Sequence, residues 1–258
     1  MHNRVDYDEG LHAVYERGRA LPAETVATWM AALARNAPER RPLTVLDLGS
    51  GTGRFSDAIA DTFGGPVYGV EPSARMREVA EARHPHPAVS YLDGRAEAIP
   101  LADHSCDLAV MFLVLHHVEH RALGVKELAR VLRPGARLCV HSGFSGQMHD
   151  HVWYRYFARA REVDDMVFPR LDEVIAQFSE AGLAYVGLDQ VDQQVAASLP
   201  AYFERFRHRS FSTLQHMSEE EITTGMAAMA EAAKRAEGEP AVPVIQTADL
   251  LVLERVDT

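Results

Sequence analysis

Lysine is nearly missing from this sequence. Of its 26 Lys and Arg residues only Lys126 and Lys234 are lysines, and 37 Asp and Glu bring the formal charge to −11. Phosphate backbones and anionic membrane surfaces are bound by clustered positive charge, so nucleic acid and membrane are not expected as partners. Two cysteines, Cys106 and Cys139, fit a reducing compartment better than a disulfide framework. No apolar run approaches the roughly 18 residues of a membrane span. The opening stretch MHNRVDYDEGLH lacks the apolar core of a secretory leader, so a cytoplasmic location is expected. Internal repeats and low-complexity tracts are lacking too.

What remains is a globular composition. Hydrophobic residues make up 47% and charged residues 24% of 258, which excludes disordered and fibrous classes and suffices for one large domain with a dry core. An amphipathic helix is expected over 23–34, with Val26, Trp29, Met30 and Leu33 on one face. Pro38 and Pro42 then lead into a buried strand at 44–48. Strands at 67–71, 88–92, 108–113 and 137–141 alternate with helices near 54–63, 74–83 and 121–132. Short apolar runs separated by such helices indicate βαβ units and a mostly parallel sheet. Arg133-Pro134-Gly135 is expected to stop a helix and start the fifth strand. Further on come an aromatic segment at 152–157, a helix near 171–181 and a strand near 184–191. An insertion of two helices follows over about 196–240, and the last strand lies at 248–256. The expected fold is α/β, a doubly wound, mostly parallel, seven-stranded Rossmann-like sheet with a helical lid.

The most specific stretch is Val45-Leu46-Asp47-Leu48-Gly49-Ser50-Gly51-Thr52-Gly53. Closely spaced glycines between a strand and a helix let a ligand approach the backbone. The spacing is G-x-G-x-G, whereas the dinucleotide fingerprint needs its third glycine one residue later. Asp47 would serve a pyrophosphate poorly. It suits a ligand with an ammonium group or no phosphate, such as S-adenosylmethionine. Glu71, ending the second strand, is placed to accept hydrogen bonds from both hydroxyls of a ribose.

The blocks VLDLGSGTGRF, VYGVEPSARM, GRAEAIPLADHSCDLAV, LVLHHVEH and ELARVLRPGARL resemble the class I S-adenosylmethionine-dependent methyltransferases, in particular the small-molecule type 11 group. The likeness runs from Val45 to about His141. It implies that Asp47, Gly49, Ser50, Gly51 and Gly53 meet the methionine part of the cofactor and that Glu71 holds its ribose. Pro72 and Met76 would then lie by the adenine. The next family block often reads Gly-Asp-Ala-Glu; here it is Gly94-Arg95-Ala96-Glu97, which leaves the backbone of Arg95 and Ala96 for the adenine amino group. Leu113, ending the fourth strand, joins the cofactor side. Tyr15 and Arg19 fall in the segment that resembles the family's N-terminal cover, over 1–43. The Asn/Asp-Pro-Pro-aromatic motif common to methylation of amides and nucleobases is replaced by Met111-Phe112-Leu113-Val114, which again argues against a DNA target.

Histidines cluster at the strands' carboxyl edge. His117 follows the fourth strand; His141, His149 and His151 follow the fifth. Neutral imidazole takes a proton near neutral pH, and His117 and His141 are the candidate bases. A metal needs three or four converging ligands, and the loose spacing of His149 and His151 with His117 or His141 leads us to expect none. Among Tyr154, Tyr156, Phe157, Tyr202, Phe203 and Phe206, packing of cap helices is the favoured role. For Arg205, Arg207, His208 and Arg209 a solvated face is the default, and recognition of an anionic group the sharper alternative.

The whole chain is thus expected to be a single domain, with 1–43 as cover, 44–141 as cofactor core and 196–240 as lid. The expected activity is S-adenosylmethionine-dependent methyl transfer to a small molecule, with O- or C-methylation favoured and the protein a monomer or homodimer. Two alternatives stay open: an S-adenosylmethionine binder that does not methylate, and a nicotinamide-dependent oxidoreductase.

Overall fold

The structure, a computed structural model, describes residues 21–209 and 211–257; Tyr15 and Arg19 lie outside them. Helix α1 (Ala23–Asn36) precedes β1 (Val45–Leu48), α2 (Ser56–Phe63), β2 (Val67–Glu71), α3 (Ala74–Arg83) and β3 (Val89–Asp93). Then follow β4 (Cys106–Phe112), α4 (Arg121–Val131), β5 (Leu132–Ser142), α5 (Ala160–Val167), α6 (Leu171–Glu180) and β6 (Leu183–Ala196). Helices α7 (Leu199–Phe206) and α8 (Glu219–Ala236) separate β6 from β7 (Val244–Arg255).

The seven strands form one sheet in the order β3-β2-β1-β4-β5-β7-β6. Strands β1 to β5 are parallel to one another, and β7 is inserted antiparallel between β5 and β6. The chain winds outward through β1, β2 and β3, then returns to β4 beside β1. Ligands bind in such sheets at the carboxyl edge where the winding reverses.

Period-two alternation sorts the strand side chains. Leu108, Val110 and Phe112 of β4, with Cys139 of β5, join Trp29, Leu33, Phe55 and Phe63 in one core. Ala109, Met111, Leu138 and Val140 face the opposite core, with Leu128, Val174 and Phe178. The same parity places His141 on the Trp29 side. Both cysteines are free and buried, and burial pushes Cys139 up to about 12.

Three expectations change. Leu132 already pairs with Cys106, and a register shift follows before Leu108 meets Arg137. Arg133-Pro134-Gly135 is therefore an irregularity within β5 rather than a turn before it, with Gly135 in the left-handed region at φ 76°. Strands β6 and β7 are 14 and 12 residues long, so their hairpin continues past the end of β5 and its pairing reaches Ala196 and Val244. Helix α5 arises where none is expected. Its eight residues bury only Ala160, Val163 and Asp164, and a helix this short depends on tertiary contacts rather than on its own propensity.

Between β6 and β7, α7 starts at Ser198, whose hydroxyl accepts from Ala201 N. Helix α8 starts in a capping box between Ser218 and Glu221, worth about 1 kcal/mol. These helices and the hairpin's extension enclose a third core that includes Trp153, Phe157, Tyr202, Phe206, Ile222 and Met229.

Candidate active site

The turn after β1 is built around three glycines with positive φ, Gly49 (71°), Gly51 (56°) and Gly53 (78°). At Gly49 a Cβ would strike Val114, and at Gly53 it would strike Tyr91; at Gly51 it would meet nothing within 4 Å. The crest of the turn is therefore open. Glu71, buried at the end of β2, accepts from Gly51 N at 3.1 Å and from Ser73 N at 3.0 Å, so its carboxylate is fixed beside that crest. The buried Ser50 Oγ has no hydrogen-bond partner among the described residues. An open glycine crest, a fixed carboxylate and an orphaned hydroxyl fit a ligand carrying a ribose and a polar tail. The residues present thus suit S-adenosylmethionine.

The other residues expected around a cofactor spread out from this point. Asp47 is almost sealed and accepts from Ser56 Oγ at 2.7 Å. Burial pushes its carboxyl up to about 6; the Ser56 bond and the Arg54 charge oppose the shift, and Glu71 adds to it. Pro72 is exposed, whereas Met76 is buried in the first turn of α3, its N–H donating to the capping Ser73. Gly94 passes so close to Pro100 and Val70 that a Cβ would collide with both. Arg95 is exposed, and Ala96 packs into the core beside Gly124. Leu113 follows β4 at φ 57°, its N–H donating to His141 O at 2.8 Å. A leucine in the left-handed region stores strain of about 1 kcal/mol or more, and such strain collects at functional sites.

Beyond β4 and β5 lies a cavity of about 150 Å³. Its floor is the sheet edge at Phe112, Leu113, His141 and Ser142; its sides include Arg54 and Phe55 of the glycine turn and Trp29 of α1. Strands β6 and β7 contribute Gln193, Gln246 and Asp249, and the cap contributes Trp153, Tyr202, Arg205 and Phe211. The His141 ring lies 4.5 Å from Trp29 and 5.9 Å from Phe112. His116 and His117, in a single 3₁₀ turn, lie with their rings tilted at 4.0 Å and also line the cavity, with His117 exposed at its border.

The cap aromatics expected to pack do so in part: Phe157 and Phe206 are fully buried, while Tyr202 both packs and lines the cavity. The basic cluster divides. Arg207 and Arg209 pair with Glu204 and Glu219, and Arg205 turns to the cavity.

Two buried carboxylates here are not singled out from sequence. Asp164 of α5 accepts from the hydroxyls of Tyr154 and Thr213, tying three cap elements together. Asp249 of β7 accepts from His149 Nε2 at 2.8 Å through its carboxylate and from His141 Nδ1 at 3.0 Å through its main-chain carbonyl. The only sequence signal for Asp249 is one acid inside the apolar run Ala248–Val252, which reads equally as a strand edge. No group of three or more His, Cys, Asp or Glu among the described residues is placed to hold a metal, and no helix there is long and apolar enough to cross a membrane.

Comparison with known proteins agrees with this fold. Residues 46–140 match the family model described as a methyltransferase domain. An uncharacterized methyltransferase of Mycobacterium bovis is 39% identical over 125 residues, 48% of this chain and 46% of that protein. The matched stretch thus spans under half of that relative. Among solved structures, a putative methyltransferase from an antibiotic biosynthesis pathway of Anabaena variabilis superposes with a TM-score of 0.70 at 20% identity, over 92% of this chain and 99% of that one. The [4+2]-cyclase SpnF superposes with a TM-score of 0.63 at 17% identity, over 93% and 85%. These two likenesses concern the fold, while residues 46–140, which carry the glycine turn and the β2 acid, are similar to the methyltransferase-domain family.

Proposed function

We propose that the protein binds S-adenosylmethionine over the glycine turn and transfers its methyl group to a small molecule held in the cavity, at oxygen or carbon. The observation that carries this reading is the open crest at Gly51 with the Glu71 carboxylate fixed beside it. Glu71 would hold the ribose and the Gly49–Gly53 turn with Ser50 the methionine end; Met76, with Pro72, Gly94 and the Arg95–Ala96 backbone, would bound the adenine. Bound S-adenosylmethionine supplies an electrophilic methyl on a sulfonium. The protein's share is to align a nucleophile with that carbon and keep water away. Trp29, Phe55, Phe112 and the cap aromatics give the cavity the apolar walls for this, and a cavity of this size takes a small molecule rather than a polymer. His141 and His117 line it as candidate bases, and a base is needed only where the nucleophile keeps its proton.

A second reading is an S-adenosylmethionine binder that catalyses something other than methylation. It is favoured by the fold shared with the [4+2]-cyclase SpnF. Calorimetry with S-adenosylmethionine, S-adenosylhomocysteine and NADH, followed by transfer of labelled methyl to a panel of phenols and activated methylenes, decides. Tight binding of the sulfonium with transfer to at least one acceptor is expected. Binding without transfer across the panel favours the second reading, and preference for NADH overturns both.

A further inference from the structure

Two of the cavity's histidines are held by one residue, in two different ways. A main-chain carbonyl oxygen only accepts, so His141 donates Nδ1–H to Asp249 O and carries its lone pair on Nε2. His149 donates Nε2–H to the Asp249 carboxylate and carries its lone pair on Nδ1. Both rings line the cavity, and Asp249 is only 4% exposed. The partners differ in charge. At Nδ1 the His141 ring faces a neutral carbonyl, whereas a proton arriving at His149 is matched by a buried carboxylate through a charge-assisted bond.

We infer that His149 is the proton acceptor for the methyl acceptor's hydroxyl, with Asp249 as the positioning residue that fixes its tautomer and neutralises the imidazolium. This rests on the methyl-transfer reading above. As the hydroxyl oxygen bonds to the methyl carbon, its proton passes to His149 Nδ1 and the carbon–sulfur electron pair stays on sulfur. The imidazolium then returns its proton to water.

The surroundings support this assignment. On its own loop, His151 is held down to about 4, by burial first and then by the charge of His149, so it is too weak a base to compete. Asp150 is engaged by Arg161 of α5 at 2.9 Å, and Arg161 also donates to Met148 O, which pins the loop just before His149. Elsewhere on the wall, Asp164 is bound by Tyr154 and Thr213, Arg205 comes from α7, and His116 and His117 come from the turn after β4.

The test uses the whole protein, His149→Gln and Asp249→Asn, with two readouts. The first is labelled-methyl transfer between pH 5.5 and 9 to a phenol that keeps its proton and to a nitrophenol already ionised at pH 8. His149→Gln is expected to lose about 100-fold or more in kcat with the protonated phenol. It should lose little with the ionised one and keep its affinity for S-adenosylhomocysteine. The second is ¹⁵N NMR of the imidazoles without any acceptor. His149 should show Nε2–H, and Asp249→Asn, whose amide can donate as well as accept, should mix the two tautomers. Equal loss with both phenols, an undiminished rate, or a tautomer that ignores Asp249→Asn overturns the proton step alone. No transfer by the unaltered protein overturns the methyl-transfer reading and the proton step with it.

Discussion

Ser56 donates its hydroxyl to the Asp47 carboxylate at 2.7 Å, joining the strand before the glycine turn to the first residue of the helix after it. The bond holds both ends of the turn, yet it only partly offsets the cost of burying the acid. The Asp47 carboxyl rises from 3.8 to about 6. Its proton is therefore held more tightly in the folded protein than in the unfolded chain. The stabilisation is complete below about pH 4 and is lost as the pH rises through 6, a difference on the order of 3 kcal/mol. Asp47→Asn should raise unfolding stability by about 1–3 kcal/mol at pH 7.5 and leave it nearly unchanged at pH 4, by urea denaturation. An equal effect at both pH values argues against the buried charge as the cause.

Glu71→Gln tests the ribose contact. The amide keeps the size but loses the charge and one acceptor oxygen. Affinity for S-adenosylhomocysteine should fall about 10- to 100-fold by calorimetry, as expected when a charge-assisted hydrogen-bond pair is weakened. A change under threefold would remove Glu71 from the site.

Gly225 of α8 lies so close to Phe157 that a Cβ would sit 2.3–2.6 Å from ring atoms. Phe157 is 1% exposed and cannot retreat. Alanine normally gains up to about 1 kcal/mol over glycine inside a helix; here overpacking, about 1–3 kcal/mol, should outweigh it. Thermal unfolding of Gly225→Ala should begin at a lower temperature. An unchanged or raised midpoint would show that the cap core is loosely packed.

Thr213→Val keeps the side-chain shape and removes one donor to the buried Asp164. The carboxylate left a partner short should cost about 1–3 kcal/mol. Adding Tyr154→Phe gives a double-mutant cycle, and coupling above about 0.5 kcal/mol between the two is expected because they share that carboxylate.

The alternation of short apolar runs and helices was sufficient for seven strands and a mostly parallel sheet, because periods of 2 and 3.6 are local properties of the chain. The glycine turn and Glu71 were legible for the same reason: both stand at strand ends, where position along the chain already gives position in space. Helix α5 was not legible, since eight residues, half of them charged, form a helix only once Asp164 has Tyr154 and Thr213 to hold it. The Arg133-Pro134-Gly135 stretch reads as a turn by its residues, and only the pairing of Leu132 with Cys106 draws it into the strand.

By itself, then, the sequence determined the class of fold and placed the glycine turn over which we propose that the cofactor binds. Only the tertiary structure decided the histidine side of the cavity. Asp249 stands 108 residues from His141 and 100 from His149, and no local pattern links them. They meet because β7 enters antiparallel between β5 and β6 in the register that sets Asp249 opposite Ser142. That register follows from burying Leu250 to Leu253 on both faces of the sheet, a property of the assembled core rather than of any single segment.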